Sequence, residues 1–444
     1  MVHHRFLIVT YPLQGHINPA IHFAKRLVAM GVDVTFATSA RRMFHKPTIP
    51  GLSFATIPDG SDDGGKVGDI GWYMSELRRR GSECVRNMIT ATAEEGRPFT
   101  CVAYTPLLAW VAEVAREFQL PRALLWIQPA TVFDIYYHYL HDCDNEYLSL
   151  KSEDPTSIEL PGLPFSVSLT KRDLPSFILP SNAYAWALPS FKEQFKELDH
   201  ETKPRILVNT FEELEPEALR AFDNLTMVPI GPLIPSPLDG KDLSHTADDY
   251  LQWLDSKPRL SVVYVSFGTL AVLPMKQMEE VARALLDGGY PFLWAIKEKA
   301  EELSCIEELE QRGKVVKWCS QVEVLSHPSL GCFVTHCGWN STMEGLASGV
   351  PMVGFPQWTD QTTNAKLLED LWKAGVRLDD KVNEEGMVEA EEIRMCLELV
   401  MGTGEKGQEL RKNANRWKSL AWKAVEEGGS SATNMRTFLD DLGK

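Results

Sequence analysis

Hydrophobic and polar positions alternate along the first forty residues in a way that sets their elements. Phe6 to Thr10 is a continuous apolar run ended by Tyr11-Pro12, the pattern of a buried strand. Ile17, Ile21, Ala24 and Val28 then recur at helical spacing. Pro19 suits the first helical turn, where a missing N–H costs nothing, and Gly31 suits the C-terminal cap. Val32 to Thr38 is a second apolar strand. Strand, helix, strand is a βαβ unit and implies a parallel sheet with helices on both faces.

The middle of the chain is less regular. Thr100–Tyr104 reads as a strand, Ala109–Phe118 as a helix, and Trp126–Tyr139 as an aromatic-rich segment. Residues 150–190 carry many prolines and read as a long excursion. Pro229, Pro232, Pro235, Pro237 and Pro258, with Gly231 and Gly240, make 229–258 the best linker candidate. Beyond it the alternation restarts. Strands are predicted at Ser261–Phe267, Pro291–Ile296, Lys314–Cys319, Gly331–Thr335 and Val350–Phe355. Helices are predicted from about Pro274, through Leu325, from about Asn340 and from about Thr363. The expected fold class is α/β, with two doubly wound, Rossmann-like domains at 1–234 and 259–425 and a linker at 235–258. The polar, helical tail ends in a helix over 426–444, long enough to reach back across the first domain. Two such domains put the C-terminal ends of their strands around a shared cleft.

Composition narrows the function classes. A chain of 444 residues at ~150 per domain allows two or three domains. Against 45 basic side chains stand 61 acidic ones, a net charge of −16, which opposes nucleic acid and anionic membrane surfaces. The eight cysteines form no C-x-x-C pair, so a zinc ribbon is not indicated, and their scatter reads as reduced and cytoplasmic. The apolar stretch after Met1 is too short for a signal peptide or a membrane span.

Three loops, each after a predicted strand, carry candidate chemistry. Gln14-Gly15-His16 precedes a helix, and a histidine at a helix N-terminus is discouraged from protonating. A neutral imidazole is what a general base needs; a surface or capping histidine reads the same from spacing alone. Ser266-Phe267-Gly268-Thr269 ends a strand in a small-residue turn that lets backbone N–H groups approach a phosphate, although Gly and Ser are also ordinary turn residues. His336-Cys337-Gly338-Trp339-Asn340-Ser341 feeds a helix whose first turn resembles an anion site, and Glu344 lies one turn beyond Asn340 on the same face. A capped helix with a buried Glu is the plainer reading of that stretch. Gly402-Thr403-Gly404-Glu405-Lys406-Gly407 matches G-x-G-x-x-G literally, but it follows a predicted helix, so the dinucleotide reading fails.

The 44 positions from Trp318 to Gln361, WCSQVEVLSHPSLGCFVTHCGWNSTMEGLASGVPMVGFPQWTDQ, resemble the signature box of plant family-1 UDP-glycosyltransferases, without a gap. The resemblance extends over the whole chain, through Gly15-His16-Ile17-Asn18-Pro19 and Ser266-Phe267-Gly268-Thr269. It is closest to the branch holding anthocyanin 5-O-glucosyltransferases and auxin ester-forming glucosyltransferases. It implies a GT-B fold and an inverting, metal-independent transfer of glucose to a small phenolic or carboxylic acceptor. No resident cofactor is implied, since UDP-glucose is a co-substrate. By the same resemblance Trp318 would stack on uracil, Gln321 would support the nucleoside, and Glu344 would accept from the ribose. His336, Asn340, Ser341, Ser266 and Thr269 would hold the diphosphate. Trp339, Asp360 and Gln361 would surround the sugar, a final Gln favouring glucose. His16 would be the general base.

One departure matters. Most members pair the histidine with an aspartate in a Tyr-Asp segment, and here Tyr104-Thr105 stands in that place, with Trp110 anchoring the match. An aspartate orients an imidazole and offsets its charge; a hydroxyl can only hydrogen-bond it. Two readings stand side by side: acidic acceptors that need little base assistance, flavonoid phenols first and carboxylates such as auxin or aromatic acids second, or a site in which another carboxylate takes over or Thr105 suffices. Gln14, Tyr104, Thr131 and Phe133 are candidate acceptor contacts. The aromatic segment Trp126, Phe133, Tyr136, Tyr137 and Tyr139 is either a stacking wall or plain core. The acidic loop Asp59–Asp69 reads as a surface loop or a lid. A non-catalytic nucleotide-sugar or hormone-binding protein is the rival class, and the chain is expected to be monomeric.

Overall fold

The computed structural model describes residues 3–39, 49–60, 69–141, 168–179, 185–235, 248–378, 382–383 and 385–443. Residues 61–68 of the acidic loop, Cys143, most of the 150–190 excursion and 236–247 of the proline-rich stretch lie outside these.

Among the described residues the first half runs β1 (Arg5–Val9), α1 (Gln14–Ala29), β2 (Asp33–Ser39), β3 (Leu52–Ile57), α2 (Ile70–Glu94), β4 (Cys101–Tyr104), α3 (Ala109–Glu117), β5 (Arg122–Trp126), α4 (Ala130–His141), α5 (Leu188–Leu198), β6 (Arg205–Val208) and β7 (Thr226–Pro229). The second runs α6 (Asp248–Asp255), β8 (Val262–Ser266), α7 (Met275–Gly288), β9 (Phe292–Ala295), α8 (Ile306–Arg312), β10 (Lys314–Val316), α9 (Gln321–Leu325), β11 (Leu330–Thr335), α10 (Trp339–Ser348), β12 (Met352–Gly354), α11 (Gln361–Lys366), β13 (Gly375–Arg377), α12 (Ala390–Met401), α13 (Glu405–Val425) and α14 (Ser430–Leu442). The strands form one sheet in the order β3-β2-β1-β4-β5-β6-β7 and another in the order β10-β9-β8-β11-β12-β13. The pairings are parallel throughout, for example Phe6 beside Val34 and Cys101, and Ser266 beside Thr335.

Parallel sheets are covered on both faces, which is why β1, β4, β5, β8 and β11 are buried at nearly every position, whereas the edge strand β3 is not. In β1, Phe6 and Ile8 join a core built with Phe23, Ala24 and Leu27 of α1, while Leu7 and Val9 join the core on the opposite face. The tail closes the α1 face. Met435, Phe438 and Leu439 of α14 belong to the same cluster as Phe6, and the Phe6 and Phe438 rings lie 6.3 Å apart, edge to face. Ser431 donates to the Gly231 carbonyl at 2.6 Å and Asn434 to that of Pro229 at 2.9 Å.

Two expectations about local structure change. α1 begins at Gln14, so Pro19 is its sixth residue rather than part of its first turn. A proline there removes the hydrogen bond to the carbonyl four residues back, that of Gly15. Part of the proline-rich stretch is also ordered as helix: α6 packs on the second sheet, with Asp249 paired to Lys314 and the Tyr250 hydroxyl donating to Glu323.

Candidate active site

In an open parallel sheet, ligands bind beyond the strand C-termini where the strand order reverses. The first sheet reverses between β1 and β4, and the loops leaving those strands carry His16 and Thr105. The second reverses between β8 and β11, and the loops there carry Ser266-Gly268-Thr269 and His336–Asn340. The two switch points face each other: Asn340, in the first turn of α10, donates its amide to the carbonyl of Gly15, in the first turn of α1, at 3.0 Å. Two helix N-termini, each a partial positive charge, thus converge on one cleft.

His16 and Thr105, 89 residues apart, meet with Nδ1 and Oγ1 at 3.1 Å. The Thr105 oxygen also accepts from the Tyr11 N–H at 3.0 Å, and its hydroxyl reaches Thr10 Oγ1 at 3.5 Å. Thr10 in turn donates to the Tyr11 carbonyl at 3.3 Å. A base at Nε2 requires the proton on Nδ1, and the hydroxyls accommodate it: Nδ1–H donates to Thr105, Thr105 to Thr10, and Thr10 to the Tyr11 carbonyl. The side chain keeps some exposure, and burial by the surrounding walls lowers its pKa to about 3, with no neighbouring charge to raise it. The ring is therefore neutral at physiological pH, and its cation is poorly supported.

On the opposite side, His336 is wedged between two glycines. A Cβ on Gly268, which lies at φ +74°, would come within 2.7 Å of its ring, and one on Gly338 within 2.5 Å. Burial brings its pKa down to about 4, so it too is neutral. Ser266 and Ser341 are buried, and Thr269 is exposed on the loop beyond β8. Trp318 offers a half-exposed indole. Beside it Gln321 donates to Ser341 at 2.9 Å and to Glu344 at 2.7 Å, and Tyr264 donates to the Gln321 carbonyl oxygen at 3.4 Å. Burial raises Glu344 to about 7 against the pull of that Gln321 contact. Asp360 is buried, which raises its pKa, and accepts from Asn364 at 2.7 Å and Thr359 at 2.8 Å. The Gln361 carbonyl oxygen accepts from the Gln357 and Trp358 N–H groups at 2.9 and 3.1 Å, so the amide NH2 is its remaining polar end.

Several candidates do not face the cleft. Tyr104 is buried and its hydroxyl accepts from Gln194 at 2.8 Å. Thr131 is buried and donates to Glu215, whose carboxylate also caps the start of α4 through the Ala130 and Thr131 N–H groups. Phe133 has no exposed surface and packs against Trp126, Tyr137, Phe195 and Phe222. The aromatic segment is thus core at Trp126, Phe133 and Tyr136, with Tyr137 and Tyr139 partly buried against it. The Trp339 side chain is buried too: its indole donates to the Asn209 carbonyl at 2.7 Å and lies against Trp372, which makes it a prop between the halves and not a wall of the sugar site. Gln14 alone of the acceptor candidates is exposed, and it donates to Asn18 at 2.7 Å. Tyr264 and Asn364 were missed. Asn364 sits one helical turn beyond Asp360, a spacing that signals contact; Tyr264, inside an apolar strand, gave no signal. Gly402-Thr403-Gly404 joins α12 to α13, so the glycine-rich stretch lies between two helices and follows no strand. Among the described residues no group of three or more His, Cys, Asp or Glu is placed to hold a metal, and no helix is long and apolar enough to cross a membrane.

The sequence profile of the family described as "UDP-glucoronosyl and UDP-glucosyl transferase" matches residues 229–403, which contain every residue of the second-sheet site. Across its whole length the chain is 54% identical to phloretin 4'-O-glucosyltransferase of Malus domestica, covering 98% of that protein. The chain belongs to this family. It is a UDP-glycosyltransferase. Over 98% of its length and 98% of the relative's, the transferase is also 50% identical to anthocyanidin 3-O-glucoside 5-O-glucosyltransferase of Verbena hybrida. Its fold is that of the crystal structure of Os79 from O. sativa in complex with UDP, with a TM-score of 0.84 and 32% identity over 98% of this chain and all of that one. The transferase therefore has the GT-B architecture of two facing α/β units, and its donor is a UDP-sugar.

Proposed function

We propose that this transferase moves glucose from UDP-glucose, with inversion, to a hydroxyl of a small phenolic metabolite of the flavonoid kind. The reading rests above all on the His16–Thr105 pair at one switch point, held opposite the Asn340 helix start at the other. The acceptor oxygen attacks the anomeric carbon from the face opposite the diphosphate. The new C–O bond forms as the bond to the phosphate oxygen breaks, and the acceptor proton passes to Nε2 of His16. Charge growing on the departing UDP meets the N–H groups of α10, the hydroxyls of Ser266 and Ser341, and neutral His336 as a hydrogen-bond donor, which is electrostatic stabilisation by preorganised dipoles. Trp318, Gln321 and Glu344 hold the nucleoside, and Asp360 and Gln361 hold the sugar. The names of the apple and Verbena relatives support a phenolic acceptor.

A second reading, glucose ester formation on a carboxylic acid, is favoured by Thr105 itself. With a hydroxyl in place of a carboxylate, nothing offsets an imidazolium at His16, and an acceptor already ionised at neutral pH does not call for one. We further propose the division 1–234, 235–258 and 259–425 with a returning tail at 426–444, a monomeric state and a cytoplasmic location. An acceptor screen with UDP-glucose, read by product mass, tests the function. A glucosylated phenol supports the first reading, a glucose ester the second, and no acceptor-dependent release of UDP returns the chain to the binding-protein class.

A further inference from the structure

The loop that carries Asp360 and Gln361 holds a strained residue. Thr359 lies at φ +61°, a left-handed conformation that β-branched side chains rarely adopt. Such a backbone persists only when its surroundings over-determine it. Here the surroundings come from the other half of the chain. The Thr359 N–H donates to Ser176 Oγ at 2.7 Å, and the Ser176 N–H donates back to the Thr359 carbonyl at 2.8 Å, so one serine grips both sides of the strained residue. Its neighbours extend the grip. Thr362 donates to the Leu174 carbonyl at 3.0 Å and Thr363 to that of Asp173 at 2.6 Å. The Asp173 carboxylate is fully buried, caps its own turn through Thr170, and pairs with Arg377 of β13 at 2.6 Å.

The strap 170–179 is also fastened to the first half. Phe177 and Ile178 are buried in the same core as Leu7 and Val9 of β1, with Phe177 5.8 Å from Phe191 of α5. The path from that core to the sugar loop is therefore short and made of packed or hydrogen-bonded groups: Phe177, Ser176, Thr359, Asp360.

We propose that Ser176 is a positioning residue for the donor sugar: it holds Thr359 in its left-handed conformation and so sets where Asp360 and Gln361 meet the hexose. Selection of the sugar then depends on a residue of the first half, far outside the 44-residue box. The inference rests on the reading of Asp360 and Gln361 as the sugar-binding pair. Thr359 can relax without the clamp, because its own side chain disfavours the conformation, whereas glycine adopts it freely.

The experiment compares Ser176→Ala, Ser176→Thr, Ser176→Ala with Thr359→Gly, and Gln361→Ala, using UDP-glucose and its C4 epimer UDP-galactose as donors and UDP as a product inhibitor. Ser176→Ala is expected to raise the KM for UDP-glucose about five- to tenfold and to raise the relative use of UDP-galactose, because loops displaced by about an ångström lose much of their effect. The inhibition constant of UDP stays within about twofold, since Trp318, Gln321 and Glu344 are untouched. Ser176→Thr retains the hydroxyl and stays near wild type, and Thr359→Gly recovers Ser176→Ala in part, since it removes the strain but also the hydroxyl that Thr359 donates to Asp360. Ser176→Ala with an unchanged KM and sugar ratio overturns the inference when Gln361→Ala changes them. If Gln361→Ala changes neither, the sugar-pair reading fails and takes the inference with it. A Ser176→Ala variant that weakens UDP and UDP-glucose equally and recovers nothing with Thr359→Gly shows a merely structural role and also overturns it.

Discussion

Asn340 donates its side-chain amide to the Gly15 carbonyl at 3.0 Å, and Pro19 is what leaves that carbonyl free. In an uninterrupted helix the N–H four residues on would occupy it. Proline has none, so a helix defect in the first half becomes an acceptor for the second, at the mouth of the cleft. Pro19→Ala supplies the competing donor. We expect kcat/KM for UDP-glucose to fall about three- to tenfold, with no loss of thermal stability beyond a few degrees, because alanine is far the better helix former. Steady-state kinetics beside a melting curve check this; unchanged kinetics remove Pro19 from the account.

Thr105 sets how well His16 bears a proton. Thr105→Asp adds a charge beside Nδ1, raises the low pKa of the ring and strengthens it as a base. The rate with a flavonoid phenol should rise while that with an aryl carboxylate, already ionised, gains nothing. Rates measured for both acceptors decide the point. An equal change in the two would separate Thr105 from acceptor acidity.

If Glu344 accepts from the ribose, donor binding depends on pH. Its pKa, raised to about 7 by burial, means that it is half protonated near neutrality before donor binds. A protonated carboxyl is a poorer acceptor for ribose hydroxyls, so the KM for UDP-glucose should fall as pH rises from 6 to 8. His16, with a pKa lowered to about 3, contributes nothing in that window. The stability term has the opposite sign. The folded chain keeps this proton to about pH 7 while the unfolded one loses it near 4.5, so stability falls with rising pH between those values. Glu344→Gln should flatten both profiles, and a KM profile unchanged in that variant would place the titration elsewhere.

How much of this was legible in the sequence depended on distance. β1, β8 and β11 are buried on both faces and read directly as apolar runs, and with them came the loops that hold His16, Ser266 and His336. Pro19, normal in a first turn, points to a later start for α1 than Gln14, and the Gly15 carbonyl that it leaves without a helical donor takes its hydrogen bond from Asn340, more than 300 residues away. Tyr104, Thr131 and Phe133 were misjudged because an aromatic or hydroxyl side chain near a strand end looks alike whether it lines a cleft or fills the core beneath it. The Ser176 strap was invisible: a proline-rich excursion has no periodicity, and its partners are in the other half.

If His16 takes the acceptor proton, the variant that reads this out is His16→Ala, in acceptor-dependent UDP release with a phenol. Loss of a general base costs roughly 10²–10⁴-fold, so kcat should fall by at least about a hundredfold while UDP binding is retained. A rate within about threefold of the unaltered protein would mean that His16 is not the base.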